Sequence, residues 1–406
     1  MTTEKRLRSG THRTATLEET SRKLRPLLSR LGITRVANVT GLDVIGTPVV
    51  AVHRPNSRSL SVSFGKGATL ESARTSGIME ALESFHAESI LHPLLLASHD
   101  ELAAQKRITK VEALPRLSIS AYHPQKPILW IEGRELTHDV SMWLPYEIVH
   151  TDFRVPFPTG TGCFYMSSNG LASGNHLLEA KLHALCELIE RDATTLWTAR
   201  RPEARRLSRI DIASVDDSLC LAVFAQLEAA GMAFAVWETT SDLGVAAFIA
   251  TVIERGVSSV GAVGGISGMG CHPVREIALL RAVTEAIQGR LTLISGARDD
   301  LSHQLYRERR NDERAQRIAR EIANETCPRK FHDVPTFDGA SIEADLSWVM
   351  ARTVAAGLEE IVAVDLTIPE FDIPVVRVVV PGLELMHDAT GYVPGARARR
   401  VMGGST

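Results

Sequence analysis

The sequence has no CxxC pair: its five cysteines, Cys163, Cys186, Cys220, Cys271 and Cys327, are scattered and odd in number. That set suits neither a disulfide framework nor a zinc site, and it reads as small buried hydrophobes in a reducing compartment. There is no excess of positive charge either. The formal net charge of −3 gives no electrostatic ground for nucleic-acid binding. The first fifteen residues, MTTEKRLRSGTHRTA, lack the apolar segment of a signal peptide, and no apolar run reaches membrane-spanning length. A cytoplasmic protein without membrane or nucleic-acid partners is therefore expected. A GxxxxGK[ST] phosphate loop is missing, as is any low-complexity block.

With 44% hydrophobic and 23% charged residues, the chain has ample apolar material for a large core. Residues 1–16 read as a disordered basic arm and 17–34 as an N-terminal helix. Alternating β-branched runs follow at Arg35–Val39, Pro48–His53 and Leu60–Phe64. Three glycine-rich segments then precede long helical patterns. Gly65-Lys66-Gly67 leads into about Thr69–Ser89, Ser167–Asn175 into about His176–Trp197, and Gly261–Pro273 into about Val274–Ile294. Between the second and third, a helix is expected over Ile210–Gly231, with strands near Phe234–Trp237 and Val245–Ile253. Residues 298–335 read as charged and helical. A helix near Ile342–Gly357, two strands and a loop-like tail, GYVPGARARRVMGGST, complete the pattern. The fold class is α/β, with mixed sheets covered by helices.

The three long helices share one polar spacing. Positions i, i+4 and i+7 fall within about 60° of one another on a helix. They carry Ser76, Glu80 and Glu83 in the first and His183, Glu187 and Glu190 in the second, where Glu179 extends the stripe one turn back. In the third they carry Arg281, Glu285 and Gln288. The off-stripe positions are mostly Ala, Leu, Cys and Ile, so these helices have almost no ordinary solvent face. Their carboxylates are then costly unless paired, hydrogen-bonded or bound to a cation. The plainer alternative is a narrow wet face, with Arg191 and Arg290 as partners. Repetition on three helices favours a site rich in oxygen ligands. Such a site suits a hard cation such as Mg²⁺, commonly completed by phosphate groups. A di-iron site lacks its Glu-x-x-His. Lys66, between two glycines just before a helix, is placed to meet a phosphate.

Three segments, GKGATLESARTSGIMEALESFHAE (65–88), SSNGLASGNHLLEAKLHALCELIERDA (167–193) and GCHPVREIALLRAVTEAIQGRLTLISGARDD (270–300), resemble the YcaO family. The resemblance places the family core over 35–300 and assigns 301–406 to the C-terminal part of the same domain. It implies ATP and Mg²⁺ as cofactors, the ATP held among the three glycine-loop and helix units, and activation of a peptide backbone amide by O-phosphorylation. It also implies metal ligation by Glu80, Glu83, Glu187 and Glu190. ATP contacts are implied for Lys66, Ser76, Glu80, Asn175, Glu179, Arg191, Arg281, Glu285 and Gln288. Ser84 departs from the family pattern, where many relatives have Arg. The opening stretch over 35–67 looks like the subgroup that works beside a TfuA partner.

Azoline-forming members of the family that the sequence resembles often end in Pro-x-Pro-x-Pro, whereas this sequence ends Gly403-Gly404-Ser405-Thr406, and a fused leader-binding domain is not expected before the first strands. A stand-alone enzyme with an external nucleophile is expected: a thioamide-forming enzyme with a TfuA-like partner, a peptide or protein substrate, a separate sulfur donor and a homodimeric state. The rival readings are an azoline-forming cyclodehydratase and a non-catalytic nucleotide-binding accessory factor for a sulfur-transfer enzyme, such as a ribosomal-protein methylthiotransferase.

Overall fold

A computed structural model describes residues 3–255, 263–301 and 312–403. Gly261 and Ala262 of the third glycine segment, 302–311 of the charged stretch and the final Gly404-Ser405-Thr406 lie outside the described residues.

The framework is three sheets, each carrying one of the polar-striped helices. Strands β1 (Arg35–Asn38), β2 (Val49–His53) and β3 (Val62–Lys66) form an antiparallel sheet, and helix α1 is Leu17–Leu24. Helix α2 (Leu70–Glu88) lies on β2 and β3. Thr69 caps it, its Oγ1 accepting the Ser72 N–H at 3.1 Å.

A six-stranded sheet joins β4 (Leu94–Ala97), β5 (Ile128–Glu135), β6 (Val140–Pro145) and β7 (Leu171–Ser173) to two strands from the far end of the chain. Helix α3 (Leu177–Ala199) packs against β7 and the late strands, and most of its residues are buried. Helix α4 (Ser218–Ala229) precedes a second antiparallel sheet of β8 (Met232–Glu238), β9 (Ala247–Glu254) and β10 (Ile266–Cys271). On it lies α5 (Arg275–Ser295), ended by Gly296 in the left-handed conformation. Helices α6 (Asp312–Asn324) and α7 (Ile342–Ala355), strands β11 (Val362–Asp365) and β12 (Val375–Val379) and helix α8 (Ala396–Gly403) complete the fold. The late strands run β5-β11-β12-β7 through the six-stranded sheet.

The glycine segments differ from the expected loops. Gly65 lies in β3, and Gly268 and Gly270 lie in β10. A Cβ on Gly65 would stand 2.1 Å from the Ala73 carbonyl oxygen and the Gly77 nitrogen. One on Gly268 would stand 2.1 Å from the Ala286 nitrogen. These glycines let a helix lie directly on strand backbone. Their physical reason is packing.

Three further expectations are corrected. Residues 3–16 are packed on the body and not disordered: Lys5 Nζ stands 2.7 Å from Asp345 Oδ2, and Thr14 N–H donates to Glu179 Oε2 at 2.8 Å. The arm's polar side chains meet buried carboxylates, which the sequence pattern does not reveal. The expected Ile210–Gly231 helix starts only at Ser218, capped by Asp217, because Ile210–Asp211 pair in parallel with Arg329–Lys330. The tail is helical over Ala396–Gly403, anchored by a two-point pair in which Arg397 Nε and Nη2 donate to Asp192 at 2.9 and 3.0 Å. Cys163, Cys186, Cys220 and Cys271 are buried, and all five cysteines are free. Among the described residues no helix is long and apolar enough to cross a membrane.

Candidate functional site

The packing of α2, α3 and α5 on their sheets turns the three stripes toward one another. Lys66, the last residue of β3, reaches Glu285 of α5 with Nζ 3.0 Å from Oε2. The other oxygen of Glu285 accepts the Met269 N–H from β10 at 3.3 Å. Glu83 of α2 accepts from both the backbone N–H and the hydroxyl of Ser173, at 2.8 and 2.6 Å. Glu187 of α3 accepts the Gly170 N–H at 3.3 Å, and Glu190 lies 3.4 Å from Arg191 Nη1. Gln288 donates to the Phe64 carbonyl at 3.3 Å, and Arg281 to the Cys271 carbonyl at 3.3 Å.

A second group closes the start of α3. Glu179 accepts the Asn175 N–H and Nδ2 at 3.2 and 3.3 Å, the Thr14 hydroxyl at 2.9 Å, and lies 3.5 Å from Arg13 Nη1. Thr20 of α1 donates to Asn175 Oδ1 at 2.8 Å. Ser76, by contrast, is exposed one turn before Glu80 and takes no part in this network.

Burial sets the electrostatics. It pushes the Glu80 carboxyl up to about 7, with Lys66 and Arg298 opposing and Glu187 adding to the rise. Glu83 is pushed to about 8 by burial, against the Ser173 hydrogen bonds and reinforced by Glu80 and Glu187. Glu190 reaches about 7 by burial, which Arg191 opposes, and Glu187 is raised by burial as well. Glu285 differs. Burial acts on it too, but Lys66 and Arg191 outweigh it and hold the carboxyl below its ordinary value. Arg191 is held strongly protonated, because Glu190, Glu187 and Glu285 outweigh its burial.

Four acids that repel one another and resist ionisation mark a place where positive charge is short. The group is not sealed: the side chains of Glu285 and Arg191 are 29% and 21% exposed, and that of Glu190 10%, while Glu80, Glu83 and Glu187 are half-buried.

The chain's residues 64–384 match a family model described as a YcaO cyclodehydratase that binds ATP and Mg²⁺. The chain belongs to the YcaO family. A protein of Rhizobium leguminosarum bv. trifolii, described only as uncharacterised and in the tfuA 3′ region, is 37% identical over 397 residues, covering 97% of this chain and 93% of its own. Among solved structures, a YcaO from Methanopyrus kandleri bound with AMPPCP and Mg²⁺ matches with a TM-score of 0.76 at 22% identity, over 97% of this chain and 99% of that one. A heterocyclase in complex with substrate and cofactor matches with a TM-score of 0.79 at 22% identity. This YcaO chain is fully covered in that match but spans only 56% of the heterocyclase's length. The mixed α/β architecture is thus the YcaO fold, and ATP and Mg²⁺ are the cofactors that membership brings.

The donor set fits that pair. Among the described residues no three His, Cys, Asp or Glu side chains form a ready metal cage. Mg²⁺ characteristically takes one or two carboxylates and fills its shell with water and phosphate oxygens, so an open group of Glu80, Glu83, Glu187 and Glu190 suits it. A divalent cation would favour ionisation of all four, and Lys66, Arg191 and Arg281 are the cations that would face phosphate oxygens there.

Reading the sequence missed several members. Arg298 faces Glu80 electrostatically from beyond the end of α5, although it lies inside the quoted third segment. Arg13 and Thr14 come from the arm, where no periodicity marks them. Arg377 carries the clearest missed signal, a single charge inside the apolar run Val375-Val376-Arg377-Val378-Val379.

Proposed function

We propose that this YcaO protein uses the site between α2, α3 and α5 to activate a peptide backbone amide at the expense of ATP, and that its product is a thioamide. The observation that carries this reading is the convergence of four burial-strained carboxylates with Lys66 and Arg191 in one partly open group. Glu80, Glu83, Glu187 and Glu190 would hold Mg²⁺, which when bound offsets charge on the transferring phosphoryl group. Lys66, Arg191, Arg281, Glu285, Gln288, Asn175, Glu179 and Ser76 would position the nucleotide.

An amide oxygen is a very poor leaving group until it is phosphorylated. In the proposed reaction the oxygen forms a bond to the γ-phosphorus as the bond to the ADP oxygen breaks. Hydrosulfide adds to the amide carbon. The carbon–oxygen bond then breaks, phosphate leaves with the electron pair, and a proton loss gives the thioamide. Lys66 and Arg191 stabilise the phosphate oxygens throughout. The tfuA neighbourhood of the Rhizobium relative supports a TfuA-like partner that delivers the sulfur.

The family model's description favours a second product, an azoline formed by a Cys, Ser or Thr side chain. Incubation with Mg-ATP, sulfide, a TfuA-like partner and a candidate substrate peptide, followed by mass spectrometry, separates them. Exchange of oxygen for sulfur adds about sixteen mass units and dehydration removes about eighteen, after the same phosphoryl transfer. No ATP turnover with any partner combination would instead make the chain an accessory protein.

A further inference from the structure

Strand β4 is an outer edge of the six-stranded sheet, and it is apolar where an edge is ordinarily defended. It pairs antiparallel with β5, from Leu94 opposite Ile131 to Ala97 opposite Ile128. Among the described residues no other strand pairs with it. Its side chains are bare: Leu94, Leu95 and Leu96 are 38%, 40% and 55% exposed, and Leu91, just before the strand, is 76% exposed. Single exposed leucines need no explanation, but four within six residues form a patch.

Successive side chains of a strand point to opposite faces, so Leu94 and Leu96 lie on one face of the sheet and Leu95 on the other. The neighbouring strand differs. Ile131 and Trp130, opposite Leu94 and Leu95, are both fully buried. The cover over both faces of the sheet therefore stops between β5 and β4. The strand itself is held in place, because the Trp130 indole N–H donates to the Ala97 carbonyl at 2.9 Å. Open edges are ordinarily protected by a charge, a proline or a bulge within the strand. Leu94–Ala97 has no charge and no proline, and its register with β5 runs without a bulge.

An occupant of this edge has to be a strand that is itself apolar at successive positions, since the leucines point both ways. The stretches of chain outside the described residues do not supply one: 256–262 reads GVSSVGA and 302–311 reads SHQLYRERRN. Strand β4 does supply one. In an antiparallel pairing of β4 with its own copy, centred on Leu95, Leu95 meets Leu95 and Leu94 meets Leu96. Every leucine of the strand then packs on a leucine across the seam, and no charge opposes a like charge. A contact that matches a surface to itself in this way closes as a two-fold dimer.

We propose that β4 is the seam of a homodimer, in which two copies of this chain pair their β4 strands antiparallel about a two-fold axis at Leu95. The two six-stranded sheets become one continuous sheet. The seam lies four strands from β7, whose Ser173 holds Glu83, or about 19 Å at ordinary strand spacing. Both carboxylate groups thus stand clear of the seam, and the inference does not depend on the reaction proposed above.

Sedimentation velocity of the full chain at micromolar concentration tests the seam. The wild type sediments as a dimer. Leu95→Lys and Leu95→Glu each set like charges opposite one another across the axis and weaken dimerisation at least about tenfold. Mixed in equal amounts, the two variants associate again, because lysine then meets glutamate. That rescue requires position 95 to meet itself, and a dimer formed through any other surface does not show it. Near-UV circular dichroism checks that each variant is folded. If neither folds, Leu96→Lys, at the most exposed position of the strand, decides by loss of the dimer. A monomeric wild type overturns the seam, including one that binds an extended apolar peptide at this edge instead. A dimer unmoved by these charges, or variants that stay apart on mixing, overturns it equally.

Discussion

Lys66 and Glu285 are 219 positions apart in the chain, yet Nζ and Oε2 stand 3.0 Å apart, joining the first strand–helix unit to the third. The pair fixes how β3 approaches α5 and leaves Glu285 as the one stripe acid held below its ordinary pKa. Lys66→Met removes both the ion pair and a cation expected to meet phosphate. Mg-ATP affinity should fall by about tenfold or more, the scale of a charge-assisted hydrogen bond, in isothermal titration. Unchanged affinity would remove Lys66 from the nucleotide site.

The raised acids give the nucleotide-free protein a defined pH response. Glu80, Glu83 and Glu190 have folded-state pKa values of about 7, 8 and 7, above the ordinary carboxylate value of 4.5. The folded state therefore holds protons that the unfolded state has released. This contribution is fully present below pH 4.5 and is lost as pH rises through 7 to 8. Mg²⁺ binds the ionised forms, so its stabilising effect should grow over the same range and binding should release protons. Thermal melts at pH 6 and pH 8 with and without Mg²⁺ check the sign, and a larger magnesium shift at pH 6 would contradict it.

Close strand–helix approach gives a stability prediction independent of any ligand. Gly268→Ala places a Cβ 2.1 Å from the Ala286 nitrogen, with backbone on both sides and nothing flexible to yield. A loss of about 1–3 kcal/mol is expected in urea unfolding. An unaffected midpoint would mean that β10 and α5 separate freely.

The arm offers another. Lys5 and Asp345 have fully buried side chains 2.7 Å apart. Lys5→Met leaves Asp345 facing only His12, with Nδ1 at 3.5 Å, as a nearby compensating group on the arm. The expected cost is about 3–5 kcal/mol, with residues 3–16 becoming open to limited proteolysis. An arm equally protected in the variant would contradict its anchoring role.

The stripes were legible because helical spacing is local: Glu80 and Glu83, or Glu187 and Glu190, share a face whatever packs on them. The glycines were misread because a glycine that admits a helix against a strand looks the same in sequence as one in a phosphate loop. Gly65 and Gly268 are explained only by Ala73 and Ala286 across the packing interface. The arm's order was illegible for a related reason: Lys5 and Thr14 find their partners at Asp345 and Glu179, far along the chain. Arg377 was legible in principle. A charge in the middle of an apolar strand flanked by valines requires a partner, and the Ser167 carbonyl supplies one.

The measurement closest to the central claim is Mg-dependent ATP binding by Glu187→Gln. Glu187 accepts the Gly170 N–H and interacts electrostatically with the other stripe acids, Arg191 and Arg377. Gln keeps its shape and can still accept that bond, so the variant should fold normally by circular dichroism. Titration calorimetry should then find Mg-ATP binding abolished in the variant and present in the wild type. Normal Mg-ATP binding by a folded Glu187→Gln protein would contradict the assignment of this carboxylate group to the metal–nucleotide site.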